Sequence, residues 1–475
     1  MPGLFTTLAN TAQALQAQSV ALGITSKNIA NVNNPNYARQ YVVFGNKGEV
    51  MTPQGEETLG LQALTVQQYT DPLLNQQVIT QLGLTANDSS LQSWLQQAQA
   101  SLGQNLTNAS TSPSSTSTTT GDSGIAATLD NLINSFQALA AQPSDSGTRQ
   151  SLIQQATTLT QTFQTVDGNL AQVQANSTSQ ISTDVTTANT LLSNIATINT
   201  QIAAAEANQP GSAVDLRDSR EADLEQLAGI IPINVTEQSN GEDTVTTPDT
   251  SGNPVVLVQK GVAQGSLNYS AGVLTGGASA TALGLGAGSI QGSITASTGP
   301  IQTLRNSLDS LADELVTAVN TAYNPTSAPG GDFFDPTKTT AGTISLASGL
   351  NATTLVAGSG PAGDNSIAVA VAALANKTFS TSSGDSIDGT FSSYYASTVG
   401  SFGQSLATAT TNLDDNQNIQ TLFENQRSSI SGVNMDEEMS NLVQFQQAYV
   451  ASSETFNIIN TLLGNEIQEL GNSPG

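Results

Sequence analysis

Apolar residues recur every seven positions near both ends of the chain. The N-terminal line consists of Leu8, Leu15, Leu22 and Ile29. The C-terminal line consists of Met435, Leu442, Tyr449, Phe456, Leu463 and Leu470. A sustained heptad pattern is typical of helices that pair as a coiled coil. We therefore predict that the two ends pair with each other and with neighbouring subunits, with these residues as the assembly interface.

A second line beside each apolar line is largely polar. Its N-terminal members are Leu4, Thr11, Gln18 and Thr25, and its C-terminal members are Met439, Gln446, Ser453, Asn460 and Ile467. Polar residues in a coiled-coil seam fix the register at a cost in stability. The alternative is that each end is an ordinary amphipathic helix on its own globular core. Because both ends share one design, pairing is the better interpretation.

Long helices are predicted for most of the chain between these ends. Asp71-Pro72 marks the start of one helix, and apolar residues at helical spacing run from residue 125 to about 227. Helix resumes at Ile301 and again at about Tyr394, with an interruption at Ser431-Gly432. Long helices rich in Gln and Thr suit a rod better than a compact globule.

One segment of the chain predicts β structure instead. Residues 230–294 carry β-branched runs between Gly, Asn and Pro turns, the last run being Gly288-Ser289-Ile290. This alternation of strands and turns is typical of a small antiparallel module. A short strand is predicted at Tyr41-Val42-Val43-Phe44, and the Ser/Thr tract at residues 105–120 predicts a surface loop.

The fold class that follows is mainly α with an inserted β module (α+β, multi-domain). The N- and C-terminal helices pair as a coiled coil, long helices form a rod, and a small antiparallel β domain lies in the middle. The predicted domains are a terminal coiled coil at 1–40 with 435–475, a long-helix rod at 41–229 with 295–434, and a β-rich outer domain at 230–294.

The composition excludes most enzyme classes. The 475 residues contain no Cys and no His, so neither a Ser-His-Asp system nor a His- or Cys-ligated metal can form. Acidic residues outnumber basic ones by 37 to 11, and the net charge of −26 disfavours nucleic acid and anionic membranes as partners. We predict a structural protein with no enzymatic activity, no cofactor and no membrane insertion. A hydrolase with paired carboxylates is the alternative from another class.

Two groups of charged residues have simple structural interpretations. Asn434 occupies an N-cap position before Asp436-Glu437-Glu438, with Glu437 three residues later, as in a capping box. Acids in the first helical turn also interact favourably with the helix dipole. The acids and arginines between Asp215 and Glu225 predict a solvated helix face with local ion pairs.

Several segments resemble the axial proteins of the bacterial flagellum. Residues 27–40 (KNIANVNNPNYARQ) and 431–451 (SGVNMDEEMSNLVQFQQAYVA) are similar to the terminal signatures of that group, and most similar to the family of hook-associated protein 1 (FlgK type). Three internal segments agree with this resemblance. They are LRDSREADLEQLAGIIPINV (216–235), GGDFFD (330–335) and GDNSIAVAVAALANK (363–377).

The resemblance implies a structural role at the surface of the bacterium. Paired termini form the inner layer of a tubular assembly, in which a ring of identical subunits joins hook to filament. It implies as partners the chain itself, the hook protein, a second junction protein (hook-associated protein 3) and an export chaperone. It also implies type III export without a cleaved signal peptide and an extracellular location at the hook–filament junction. The alternative within this class is hook-associated protein 3 or flagellin.

Overall fold

Most of the chain is described by a computed structural model. The described residues are 2–46, 48–52, 55–58, 60–102, 124–328, 330–361 and 363–471. The Ser/Thr tract at 105–120, for which we predict a loop, lies outside them.

Long helices account for most of the described residues. The α-helices are α1 (Pro2–Ala30), α2 (Pro72–Ser101), α3 (Ile125–Ala141), α4 (Ser146–Ala205), α5 (Val214–Ile230), α6 (Ser289–Thr298), α7 (Pro300–Tyr323), α8 (Ser366–Ala372), α9 (Phe391–Ser431) and α10 (Met435–Gly471). Local chemistry sets their starts. The Asp71 carboxylate accepts hydrogen bonds from the amides of Leu73 (3.0 Å) and Leu74 (3.2 Å) at the start of α2. Pro300 occupies the first turn of α7, where its missing N–H costs nothing.

The strands are short and pair antiparallel. They are β1 (Gln40–Asn46), β2 (Glu49–Thr52), β3 (Gly55–Thr58), β4 (Leu61–Gln68), β5 (Asn234–Glu237), β6 (Asp243–Pro248), β7 (Pro254–Gln259), β8 (Val262–Ala263), β9 (Asn268–Ser270), β10 (Val273–Gly276) and β11 (Thr281–Ala282). β1 pairs with β4 and β2 with β3, while the later strands form sheets ordered β5-β6-β7-β8 and β11-β10-β9. The prediction of a mainly α fold with an inserted antiparallel β module is confirmed.

The chain divides into two compact units. Unit 1 comprises Met1–Thr85, Val185–Gly288 and Asn416–Gly475, and unit 2 comprises Ala86–Asp184 and Ser289–Asp415. Unit 1 therefore contains both terminal helices together with β5 to β11. The three-part division at 1–40 with 435–475, 41–229 with 295–434, and 230–294 stays a prediction.

The end of the predicted β segment is wrong. Gly288-Ser289-Ile290 is not a strand, because Ser289 begins helix α6. The Ser289 hydroxyl donates to Asp184 at 2.6 Å. At Gly292 a Cβ atom would lie 2.2 Å from the carbonyl oxygen of Asn87, so only glycine allows α6 to come this close to α2. Packing within unit 2 thus overrides the β propensity of the isoleucines.

Unit 2 has a continuous apolar core in which α7 is central. The apolar face of α7 is buried; it consists of Leu304, Leu308, Leu311, Leu315 and Val319. Phe333 and Phe334 follow α7 and are fully buried. The Phe333 ring lies 5.1 Å from that of Phe136 and 5.3 Å from that of Tyr323. Aromatic pairs at such distances add to the stabilisation from burial.

Phe333→Ala is expected to lower the free energy of unfolding of unit 2 by about 3–5 kcal/mol, because the truncation leaves a cavity among three aromatic rings. Urea denaturation of the full chain measures it. Val369→Ala on α8 is the control, since Val369 is exposed and its truncation should cost less than about 1 kcal/mol. Equal losses in the two variants would contradict this description of the core.

Candidate functional site: the terminal helix pair and its polar joint

The terminal helices α1 and α10 pack against each other, and α1 also packs against β1 and β4. The buried positions of α1 carry small or polar side chains. They are Thr11, Ala17, Ala21, Thr25 and Asn28. Small side chains allow close approach of helix backbones, and a buried threonine hydroxyl can bond its own helix. The Thr11 hydroxyl does so, donating to the carbonyl oxygen of Thr7 at 2.7 Å.

The apolar heptad residues proposed for assembly are only partly covered in the single chain. Leu8, Leu15, Leu22, Ile29, Leu442, Phe456 and Leu463 are half-buried. Met435 and Tyr449 are each 40% exposed. Leu470 lies outside the side chains that the structure describes. Their role as an assembly interface stays a prediction, and the exposed remainder of their surface is free to contact other molecules.

Heptad spacing alone did not identify the buried seam. Of the polar N-terminal line, Thr11 and Thr25 are buried, whereas Met439 and Ile467 of the C-terminal counterpart are exposed. Among the described side chains of α10, the buried ones are instead Glu438 and Ile459, which share a third heptad line. Because Glu438 is charged, this line does not appear as an apolar repeat, and the sequence pattern did not identify it as the buried face of α10.

A polar joint lies where the C-terminal part of α1 meets the start of α10. Its centre is Asn28, which is buried. The Asn28 amide nitrogen donates to the carbonyl oxygen of Gln40 (2.8 Å) and to Oε2 of Glu438 (3.0 Å). The Asn28 amide oxygen accepts bonds from the Tyr37 hydroxyl (2.7 Å) and the Gln40 amide (3.0 Å). All four bonding directions of the side chain are therefore used.

Arg39 completes the joint from the loop before β1. Its Nε donates to Oε1 of Glu438 at 2.7 Å and its Nη1 to Oε2 of Glu437 at 2.6 Å. Glu438 is only 1% exposed, so it depends on this cation. The Arg39 guanidinium also lies 5.5 Å from the centre of the Tyr69 ring, and its backbone amide donates to the carbonyl oxygen of Ser431 at 2.8 Å.

The acids at the start of α10 have two roles. The predicted N-cap is confirmed, since the Asn434 side-chain oxygen accepts bonds from the amides of Asp436 (3.0 Å) and Glu437 (3.4 Å). The sequence did not indicate that Glu437 and Glu438 also bind Arg39, about 400 residues away along the chain.

The prediction of a solvated face with local ion pairs on α5 is wrong. Four charged residues of α5 form ion pairs with distant elements of unit 1 instead. The pairs are Asp215 with Lys27, Arg217 with Glu206 and Glu237, Arg220 with Asp243, and Glu225 with Arg427. Helical spacing made local pairs possible, but packing turns these side chains towards α1, α4, α9 and the β module.

Burial sets the protonation of the joint. Burial raises the pKa of the Tyr37 hydroxyl, and the nearby carboxylates of Asp218, Asp215 and Glu438 raise it further. Burial alone would lower the pKa of Arg39, but hydrogen bonds and charge interactions with Glu438 and Glu437 raise it overall. Tyr37 therefore stays a hydrogen-bond donor and Arg39 stays a cation at all physiological pH values.

The polar side chains of the joint, Asn28, Tyr37, Arg39 and Glu438, bond one another. No group of three or more acidic residues in the described part of the chain is arranged to hold a metal ion. None of the described helices is long and apolar enough to cross a membrane.

Comparison with known proteins supports one family. A family model described as the flagellar hook-associated protein FlgK helical domain matches residues 114–334. A second, described as the flagellar basal body rod FlgEFG protein C-terminal, matches residues 424–469. Flagellar hook-associated protein 1 of Bacillus subtilis (strain 168) is 25% identical over 528 residues, with 99% of each chain covered. The family models and this full-length relative support the family of flagellar hook-associated protein 1, to which the chain is similar from end to end.

Two further proteins match part of the chain. Flagellar hook-associated protein 1 of Escherichia coli (strain K12) is 42% identical over 72 residues, which are 15% of this chain and 13% of that protein. The flagellar hook junction protein FlgK from Burkholderia pseudomallei has a TM-score of 0.44 and 22% identity, covering 55% of this chain and 46% of that one. The chain is a structural component of the bacterial flagellum, and its family associates with other flagellar components.

Arg39→Ala is expected to lower the free energy of unfolding of unit 1 by about 3–5 kcal/mol, because it leaves the buried Glu438 carboxylate without its cation. Chemical denaturation of the full chain measures the loss. Combining it with Glu438→Gln should recover part of that loss, because the uncompensated charge is gone.

Lys27→Ala is the matched control for this prediction. Its ion pair with Asp215 is largely exposed, and such pairs contribute about 0–1 kcal/mol. If Lys27→Ala costs as much as Arg39→Ala, the joint does not depend on burial of the charge.

Proposed function

We propose that the chain is the structural subunit of the ring that joins the flagellar hook to the filament, and that it assembles through α1 and α10. The observation that carries this proposal is the surface of α10, which exposes eight large apolar side chains although the helix packs against α1. The exposed apolar residues of α10 are Met435, Met439, Val443, Tyr449, Val450, Ile458, Leu462 and Ile467.

Apolar surface of this extent favours contact with other subunits. Soluble monomers rarely expose large contiguous apolar patches, and those that do use them for association. Exposed apolar residues occur on α1 as well, where Phe5 is the largest. In a ring of identical subunits, each terminal helix pair would cover the apolar residues of its neighbour. The net charge of −26 opposes this association, so the apolar contacts must exceed a repulsion that salt screens.

The proposed partners and location follow from the family. The two ends of such a ring contact different proteins, namely the hook protein on one side and the second junction protein, hook-associated protein 3, on the other. We infer that the subunit reaches this extracellular position by type III export, with an export chaperone and without cleavage of a signal peptide. Both alternatives within the class, hook-associated protein 3 and flagellin, would place the subunit elsewhere along the same axis.

The protein has no enzymatic role in this proposal. The absence of Cys and His removes the usual nucleophile and base systems. A secreted hydrolase with paired carboxylates is the alternative from another class, and an assay on polysaccharides distinguishes it.

Ile458→Arg and Ile459→Arg separate assembly from folding. Ile458 is 61% exposed, and the neighbouring Ile459 is 7% exposed. Ile458→Arg should leave the thermal unfolding of the monomer nearly unchanged and prevent incorporation at the hook tip. Ile459→Arg should destabilise the helix pair itself, because it buries an unpaired charge.

Electron microscopy of a strain that lacks the protein tests the location. It should show hooks without filaments, with flagellin released into the medium. Normal incorporation of exported Ile458→Arg protein would contradict the proposed use of the α10 surface, while filaments in the strain without the protein would contradict the junction itself.

A further inference from the structure

A partly open cavity, lined by many charged side chains, lies in unit 1 beside the polar joint. It has a volume of about 120 Å³, which is room for a few water molecules. Its wall comprises the loop at 35–38, the first turns of α2, helix α5, strands β5 and β6, and the end of α9. The charged residues of the wall are Arg217, Asp218, Arg220, Glu221, Glu225, Glu237, Asp243 and Arg427.

Two acidic residues of this wall form no ion pair with another described residue. All three arginines of the wall bind other carboxylates, as described for α5. Among the described residues, neither Asp218 nor Glu221 forms an ion pair. Both lie on α5, three residues apart, and both line the cavity. An unpaired carboxylate in such a place is costly when it is ionised.

The carboxylate oxygens of these two residues also have few hydrogen-bond partners. Oδ1 of Asp218 accepts one long hydrogen bond, 3.4 Å, from the amide of Ala38. Oδ2 of Asp218 and Oε1 of Glu221 are buried and have no hydrogen-bond partner in the described part of the chain. Burying a carboxyl group without hydrogen-bond partners costs less free energy when the group is protonated, because it then carries no net charge.

We propose that this cavity is a proton-binding site, at which Asp218 and Glu221 take up protons from water and thereby tighten the joint between α1 and α10. Each uptake converts a carboxylate and a hydronium ion into a carboxylic acid and water. No redox partner or further reactant is needed. In the protonated state each of the three arginines of the wall is paired with a carboxylate of the wall, Glu237, Asp243 or Glu225, and Asp218 and Glu221 carry no charge. In the ionised state two carboxylates of α5, three residues apart, carry charges that no ion pair compensates among the described residues.

The loop at 35–38 links the cavity to the joint. Asp218 bonds the amide of Ala38, and the residues on either side of Ala38 are Tyr37 and Arg39, which bind Asn28 and Glu438. The Ala38 amide bonds the ionised form of Asp218 more strongly, but the other carboxylate oxygen, Oδ2, is buried without a partner. Water that enters to solvate this oxygen separates the wall of the cavity, so the loop that carries both joint residues loosens. The terminal helix pair therefore holds its register more firmly in mildly acidic solution than in alkaline solution.

The expected pH range follows from burial. Burial raises the pKa of the Asp218 carboxyl to about 7, and it raises that of the Glu221 carboxyl to about 7 as well. In the unfolded chain both groups have pKa values near ~4. A group whose folded pKa is raised stabilises the fold fully below its unfolded pKa, and this stabilisation disappears as the pH rises through the folded value. The contribution to unit 1 should therefore decline between about pH 4 and pH 7.

Other charges that face the two acids modulate this range. Acidic neighbours raise the two pKa values and basic neighbours lower them. Asp215 raises the pKa of Asp218, and Lys27 lowers it. Glu225 and Asp243 raise the pKa of Glu221, whereas Arg427 and Arg220 lower it. The remaining charged groups around the cavity are Arg217 and Glu237, and the hydroxyl of Tyr37 is a further titratable group there.

The test compares the full chain with the double variant Asp218→Asn/Glu221→Gln in thermal unfolding from pH 4 to pH 9. The amides imitate the protonated acids at every pH. The melting temperature of the variant minus that of the wild type should grow between pH 4 and pH 7, reach roughly 5 °C, and stay constant above. Asp414→Asn, at an exposed position on α9, is the control and should show a flat difference. A flat difference for the double variant as well would overturn the proposal.

A measurement on the wild type covers the case in which the double variant does not fold. Hydrogen exchange of the segment around Ala38, corrected for the intrinsic effect of pH, should lose about tenfold in protection between pH 5.5 and pH 8.5. Constant protection across this range would show that the cavity does not control the loop. Both measurements use the free monomer, so their outcome is independent of where the protein assembles.

Discussion

The buried carboxylate of Glu438 is the constraint on which the terminal pairing depends. An ionised glutamate that is 1% exposed is tolerated only with close partners, and Arg39 and Asn28 provide them. These partners come from the N-terminal end of the chain, 399 and 410 residues away. A shift of one helical position would leave the charge buried and unpaired. The joint therefore fixes which residues of α1 and α10 lie opposite each other, a task that a purely apolar seam performs poorly.

The helix pair combines this fixed register with a weak seam of its own. Small and polar residues such as Ala21 and Thr25 occupy the buried face of α1, so little apolar area is buried within one chain. Most of the large apolar side chains of α10 point elsewhere. A subunit built in this way has its ends correctly aligned before assembly and keeps its apolar surface for contacts with other molecules. Stronger pairing within the chain would use the same side chains and reduce the gain from association.

The sequence predicted the helices of this fold much better than their contacts. Heptad spacing indicated α1 and α10, and Asn434 indicated the start of α10, because these signals are local. The sequence did not predict the buried heptad line of α10, because Glu438 in that line is charged. The ion pair between Lys27 and Asp215 was not predicted, because 188 residues separate the two and the spacing within α5 favoured local pairs. At Gly288-Ser289-Ile290 the β propensity was real, but close packing at Gly292 favours helix.

The distribution of basic residues supports a specialised role for the joint and for α5. The chain has only 11 of them against 37 acids, so each position for a cation matters more than in an average protein. Five of the 11, namely Lys27, Arg39, Arg217, Arg220 and Arg427, form ion pairs in this part of unit 1. Arginine suits such buried pairs, since its planar group bonds carboxylates in fixed directions. Even with these five cations, Asp218 and Glu221 form no ion pair among the described residues. The region around α5 therefore has more acidic groups than its cations can pair. A change of one or two protons is then enough to alter its strength.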